Sequence, residues 1–121
     1  MKMVFKFKEE NTFEQRKDEA SKVLMKYPDR IPVIVEKLPG SSIAPIDKRK
    51  FLVPKDINVA QFIFIIRKRI QLDPTKSLFL FVGRVLPQTS ATMGHVYSEN
   101  QDEDGFLYVA YSGENVFGGD R

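Results

Sequence analysis

Arg30-Ile31-Pro32-Val33-Ile34-Val35-Glu36-Lys37 is the segment that most narrows the folds open to this chain. Its β-branched side chains lose rotamer freedom in a helix and pack well on a pleated surface, so the run predicts a strand. Pro32 lacks an amide donor, which places it near a sheet edge or at the start of pairing. Upstream, Phe13, Ala20, Leu24 and Tyr27 recur at helical spacing among charged residues, predicting a helix from Phe13 to Lys26 that Pro28 terminates. Downstream, Pro39-Gly40-Ser41-Ser42 is a turn, and Lys50-Phe51-Leu52-Val53 is a second short strand bounded by Pro54. The two strands are expected to form a hairpin across the Ser41 to Lys48 loop.

A second helix follows. Asn58 is its N-cap with Gln61 three residues on, and Val59, Phe62, Ile63, Ile66 and Ile70 make an apolar stripe. Ile65 flanks that stripe and Phe64 lies away from it, which is more apolar surface than one core face requires. Ser77 to Val82 is apolar enough to predict a strand near the centre of a sheet. Gly83-Arg84 is a two-residue turn signal before a short strand at Val85-Leu86-Pro87. Met93, Val96 and Tyr97 predict a short helix, Ser98 to Gly105 a polar loop, and Phe106 to Tyr111 a closing strand. The order implies a mixed sheet with helices segregated to its faces, in one α+β domain of 121 residues.

Little enzyme chemistry is available. The chain has no cysteine and a single histidine, His95, so no metal cluster or Cys-His dyad can be assembled, and His95 reads as an ordinary surface or helix residue. Asp102-Glu103-Asp104 reads as a solvated acidic loop. The expectation is no enzyme, no cofactor and no metal. The basic runs Lys48-Arg49-Lys50 and Arg67-Lys68-Arg69 lack an RNA-binding aromatic signature or zinc-finger spacing, so nucleic acid is not expected either. Met1 to Lys8 interleaves lysines with apolar residues and does not read as a signal peptide. Apolar stretches such as Phe62 to Ile66 are far short of the roughly 20 residues of a membrane span. Residues 1–70 carry 16 basic and 9 acidic side chains, whereas residues 71–121 carry 3 and 7. That split favours an acidic partner on one face, or internal pairing between the two parts.

Two features point to interaction instead of catalysis. Along Lys50 to Val53 the side chains alternate, and a strand of this kind at a sheet edge can pair its free main chain with an extended peptide while flanking hollows take alternate side chains. The plain alternative is that Phe51, Leu52 and Val53 are core. The chain also closes on Phe117-Gly118-Gly119-Asp120-Arg121. Glycine lacks a Cβ, so such a tail can thread a narrow enzyme groove and present its carbonyl to a nucleophile.

Lys26-Tyr27-Pro28-Asp29-Arg30-Ile31-Pro32-Val33-Ile34-Val35-Glu36-Lys37 closely resembles the ubiquitin-like modifiers of autophagy, the family of the GABA-receptor-associated protein and the microtubule-associated light chains. The resemblance continues through Asp47 to Pro54, Gln61-Phe62, Ile66 to Ile70, Pro87 to Gly94 and Phe106 to Ser112, covering nearly the whole chain. It implies a ubiquitin-like β-grasp fold with two added N-terminal helices. Residues 1–28 would be the helical extension, 29–112 the core and 113–121 a flexible tail. It also implies that a cysteine protease cuts between Gly118 and Gly119. Activating and conjugating enzymes would then transfer the Gly118 carboxyl to phosphatidylethanolamine, moving a cytoplasmic chain to the autophagosome or another vesicle membrane. Two acyl chains make such an anchor far stronger than one.

Matched residue by residue, the resemblance places an aromatic-accepting pocket on Glu19, Val23, Pro32, Lys50, Leu52 and Phe106. An aliphatic-accepting pocket falls on Phe51, Val53, Pro54, Ile57, Phe62, Ile65 and Ile66, and Arg30, Lys48 and Arg69 form a basic rim that favours acidic residues. Partners would be cargo receptors and autophagy machinery carrying an aromatic residue followed three positions later by an aliphatic one. The alternative is a ubiquitin-like adaptor in vesicle trafficking that binds peptides, or microtubules through tubulin, without being conjugated. Phe51 and Phe117 keep aromatic bulk without a tyrosine hydroxyl, and Gly83-Arg84 occupies a turn where relatives often carry asparagines.

Overall fold

The computed structural model describes residues 3–115. Helix α1 spans Lys6–Glu10 and α2 spans Phe13–Lys26, followed by β1 (Arg30–Lys37), β2 (Lys50–Pro54), α3 (Val59–Arg69), β3 (Phe79–Phe81), α4 (Met93–Asn100) and β4 (Leu107–Ser112). The strand order is β2-β1-β4-β3, with β1 and β4 parallel at the centre and antiparallel partners outside. The N-terminal helices pack on one face of this sheet and α3 and α4 on the other.

Local signals set the elements. Thr12 and Gln15 close a reciprocal capping box at the start of α2, and Asn58 and Gln61 do the same for α3. The short α1 has no side-chain cap of its own; Glu36 of β1 accepts the Lys6 and Phe7 amides at 2.8 and 3.0 Å instead. Pro32 sits within a central strand, and its place there has a simple reason. The Val35 amide donates to the Arg49 carbonyl, so alternate residues of β1 aim at β2, and the nitrogen of Pro32 aims at β4, where pairing begins only at Val33. The missing donor therefore falls before the parallel ladder starts.

The alternation of β1 divides the core. Ile31, Val33 and Val35 join Val53, Phe62, Ile66 and Leu107 under α3, whereas Ile34 meets Phe7, Ala20, Phe106 and Tyr108 under the N-terminal helices. Phe7 stands edge to face with Phe106 at 5.2 Å, so the five-residue α1 is held by its buried aromatic ring. Ala20 leaves room for the loop before β4 to come close. A Cβ on Gly105 would lie 2.9 Å from that of Ala20, and Gly105 has φ +95°, so both space and backbone call for glycine.

Five expectations change, the first being that α4 continues through Asn100 and takes up the start of the expected Ser98 to Gly105 loop. β3 lies outside β4 at one side of the sheet, not near its centre, yet Leu80 and Phe81 are both buried, which accounts for its apolar content. Val85-Leu86-Pro87 is not a strand, since only Val85 bridges back to Val82 around a turn in which Gly83 adopts φ +64°. Phe13 is exposed at 41% and lies beneath the cations of Arg16 and Lys17 rather than in the core. The acidic loop is only partly solvated. Asp104 is buried, accepting from Arg16 Nη1 at 2.5 Å, Tyr108 Oη at 2.5 Å and the Phe106 amide at 2.8 Å. Burial, and then the bond to Asp104, pushes the Tyr108 phenol far above its ordinary range.

Candidate functional site

β2 is an outer strand, and among the described residues no strand pairs with its far side. The Arg49 carbonyl accepts from Val35 and the Lys55 amide donates to Asp29. Odd-numbered positions therefore aim their main chain at β1. The main-chain groups of Lys50 and Leu52 face outward, and Pro54 removes one donor at the strand end, which limits how far further pairing can run.

Side chains along this edge serve opposite faces. Lys50 and Leu52 lie opposite Ile34 and Pro32, on the side of the N-terminal helices. Phe51 and Val53 lie opposite Val33 and Ile31, on the side of α3. Residues three apart on an extended peptide also project to opposite sides, because three is odd and the strand period is two. An aromatic and an aliphatic anchor at that spacing thus match the two faces of this sheet margin.

On the first face, Glu19 and Val23 lie one turn apart on α2, and Lys50 Nζ stands 2.8 Å from Glu19 Oε2. Leu52 is half-buried beside its register partner Pro32, while Pro32 and Phe106 are buried. The accessible members are therefore Glu19, Val23, Lys50 and Leu52, while Pro32 is buried next to Leu52 and Phe106 packs with Phe7, Ala20 and Ile34. On the second face Val53, Phe62 and Ile66 form a buried floor. Phe51 meets Phe62 edge to face at 5.9 Å, and Pro54, Ile57 and Ile65 stay accessible above. A hollow of about 500 Å³ lined by Ile57, Asn58, Ala60, Gln61, Phe64 and Ile65 adjoins this floor. Phe64, 60% exposed, is thus part of the surface; its position off the core stripe was the signal for it.

The basic rim is differently committed at each position. Arg30 lies over the Tyr27 ring at 5.7 Å and Lys48 over Phe51 at 4.9 Å. Arg69 donates to Asp47 at 2.8 Å, and that bond holds the Asp47 carboxyl below its ordinary range. Arg49, which the sequence marks only as part of the basic run Lys48-Arg49-Lys50 and not of the rim, contacts Glu10 at 2.6 Å. Internal pairing also absorbs part of the charge split, through Lys8 with Asp102 and Arg16 with Asp104. His95 is an exposed residue of α4. Among the described residues no group of acidic or histidine side chains is arranged to hold a metal, and no helix is long and apolar enough to cross a membrane. Gly118 and its bond to Gly119 lie outside the described residues.

Comparison with known proteins agrees with this architecture. Residues 15–118 match the family model described as "Autophagy protein Atg8 ubiquitin like". The chain is 60% identical over 114 residues to Autophagy-related protein 8 of Colletotrichum lindemuthianum, covering 94% of each chain. It is 59% identical over 113 residues to that of Neosartorya fischeri, covering 93% of this chain and 96% of the relative. The crystal structure of Trypanosoma brucei ATG8 superimposes with a TM-score of 0.87 at 44% identity, over 91% of this chain and 95% of the other.

Proposed function

The chain belongs to the Atg8 family of ubiquitin-like autophagy proteins, and from that premise we propose that it is conjugated through Gly118 to phosphatidylethanolamine and recruits partners to autophagosomal membranes through the β2 edge. In this reading a cysteine protease removes Gly119, Asp120 and Arg121. Activating and conjugating enzymes carry the new carboxyl as thioesters to the lipid amine. The chemistry is supplied by those enzymes, and this chain contributes a substrate tail and a docking surface. One observation carries the docking part: the outward-facing main chain of Lys50 and Leu52 runs along a free sheet edge whose apolar side chains lie on opposite faces, Leu52 on one and Phe51 and Val53 on the other. A peptide strand added there gains main-chain hydrogen bonds for affinity and two side-chain anchors for specificity.

Cargo receptors and autophagy machinery with an aromatic-x-x-aliphatic segment are the proposed partners, with a cytoplasmic pool and a membrane pool after lipidation. Gly118→Ala adds a Cβ at the scissile residue and is expected to abolish the lipidated form in cells, read as loss of the detergent-soluble membrane fraction. Undiminished lipidation of that variant would contradict the conjugation site.

A further inference from the structure

We propose that Glu10 selects among docking peptides by occupying Arg49, the group that otherwise receives an acidic side chain placed just before the aromatic anchor. This rests on the groove reading above. The two assigned pockets draw on β2 in order, Lys50 and Leu52 for the aromatic one and Phe51, Val53 and Pro54 for the aliphatic one, so a peptide whose aromatic residue comes first runs parallel to β2. Its preceding residues then pass the amino-terminal end of the strand, where Arg49 stands.

Arg49 is held in position for that encounter. Its guanidinium lies 5.2 Å from the centre of the Phe7 ring and walls a hollow of about 330 Å³ that also includes Lys6, Lys37 and Pro45. Nη2 is 2.6 Å from Glu10 Oε1, whereas Nη1 is 4.0 Å from Glu36 Oε2. Glu36 already accepts two amides of α1, so Glu10 is the carboxylate that an incoming acid can replace. The side chains of Arg49 and Glu10 are 32% and 55% exposed, which leaves the pair open to competition. Exchange of one carboxylate for another conserves the ion pair. An acidic leader therefore adds little affinity while Glu10 is present, and adds its full share once Glu10 is neutral.

The test is calorimetric titration of the full chain with two synthetic peptides sharing one aromatic-x-x-leucine core, one with aspartates just before the aromatic residue and one with serines there. Glu10→Gln should tighten the aspartate peptide about two- to fivefold, the range set by an exposed ion pair, and leave the serine peptide unchanged. In an Arg49→Gln background the same change should add nothing, with thermal melts showing that each variant is folded. Equal tightening of both peptides, or a gain that survives Arg49→Gln, would overturn the role given to Glu10. The groove reading fails separately, if neither peptide binds any variant or if Leu52→Ala leaves both affinities intact.

Discussion

Arg16 of α2 donates to the buried Asp104 carboxylate at 2.5 Å and so ties the N-terminal extension to the loop that leads into β4. Asp104→Ala would leave the largely buried Arg16 charge without its carboxylate, keeping the Asn11 carbonyl and the Phe13 ring, and strip Tyr108 and the Phe106 amide of their acceptor. A loss of about 3 to 5 kcal/mol in urea unfolding is expected, the range for breaking a buried pair from one side. A loss below about 1 kcal/mol, as for a surface pair, would contradict this role.

The β2 edge makes a separable prediction. Leu52→Ala should weaken an aromatic-x-x-aliphatic peptide by about 1 to 3 kcal/mol, as for a good interface anchor. Leu52 is half-buried and Phe51 packs on Phe62, so Leu52→Ala should lower the melting temperature less than Phe51→Ala. Unchanged affinity in a folded Leu52→Ala variant would move the groove elsewhere.

Alkaline stability follows from the tyrosines. Burial pushes the Tyr111 phenol up to about 12, and burial also raises Tyr97 and Tyr108. Between the ordinary value near 10 and these raised values, the native state keeps protons that the unfolded chain has released. The stabilisation is whole below pH about 10 and is lost as pH climbs toward the folded values. Melting temperature should therefore fall across that window, and less steeply in Tyr111→Phe, which also loses the bond from Tyr111 Oη to Ala44 O at 2.8 Å. A flat profile for the unmodified chain would contradict the assignment.

Features with local causes were legible in the sequence. The bounds of α2 and β1, the Asn58-Gln61 box and the turn at Gly83 all follow from capping, branching or glycine placement within a few residues. Features set by distant partners were not. The apolar Phe79-Leu80-Phe81 gives the same signal whether burial comes from neighbouring strands or from packed helices, so its outer position could not be read. Asp104 looked solvated because its partners Arg16 and Tyr108 become neighbours only after folding. The residues of the two pockets come from the resemblance, and the sheet register sets Leu52 and Phe51 on opposite faces, the arrangement that anchors three positions apart would require. The Glu10–Arg49 pair had no sequence signal beyond opposite charge, since 39 residues separate its members.

Intact-mass analysis of the chain recovered from autophagosomal membranes tests the central claim most directly. The account predicts a polypeptide ending at Gly118 and carrying one phosphatidylethanolamine. A membrane-bound chain that still ends in Arg121 and carries no lipid would contradict it.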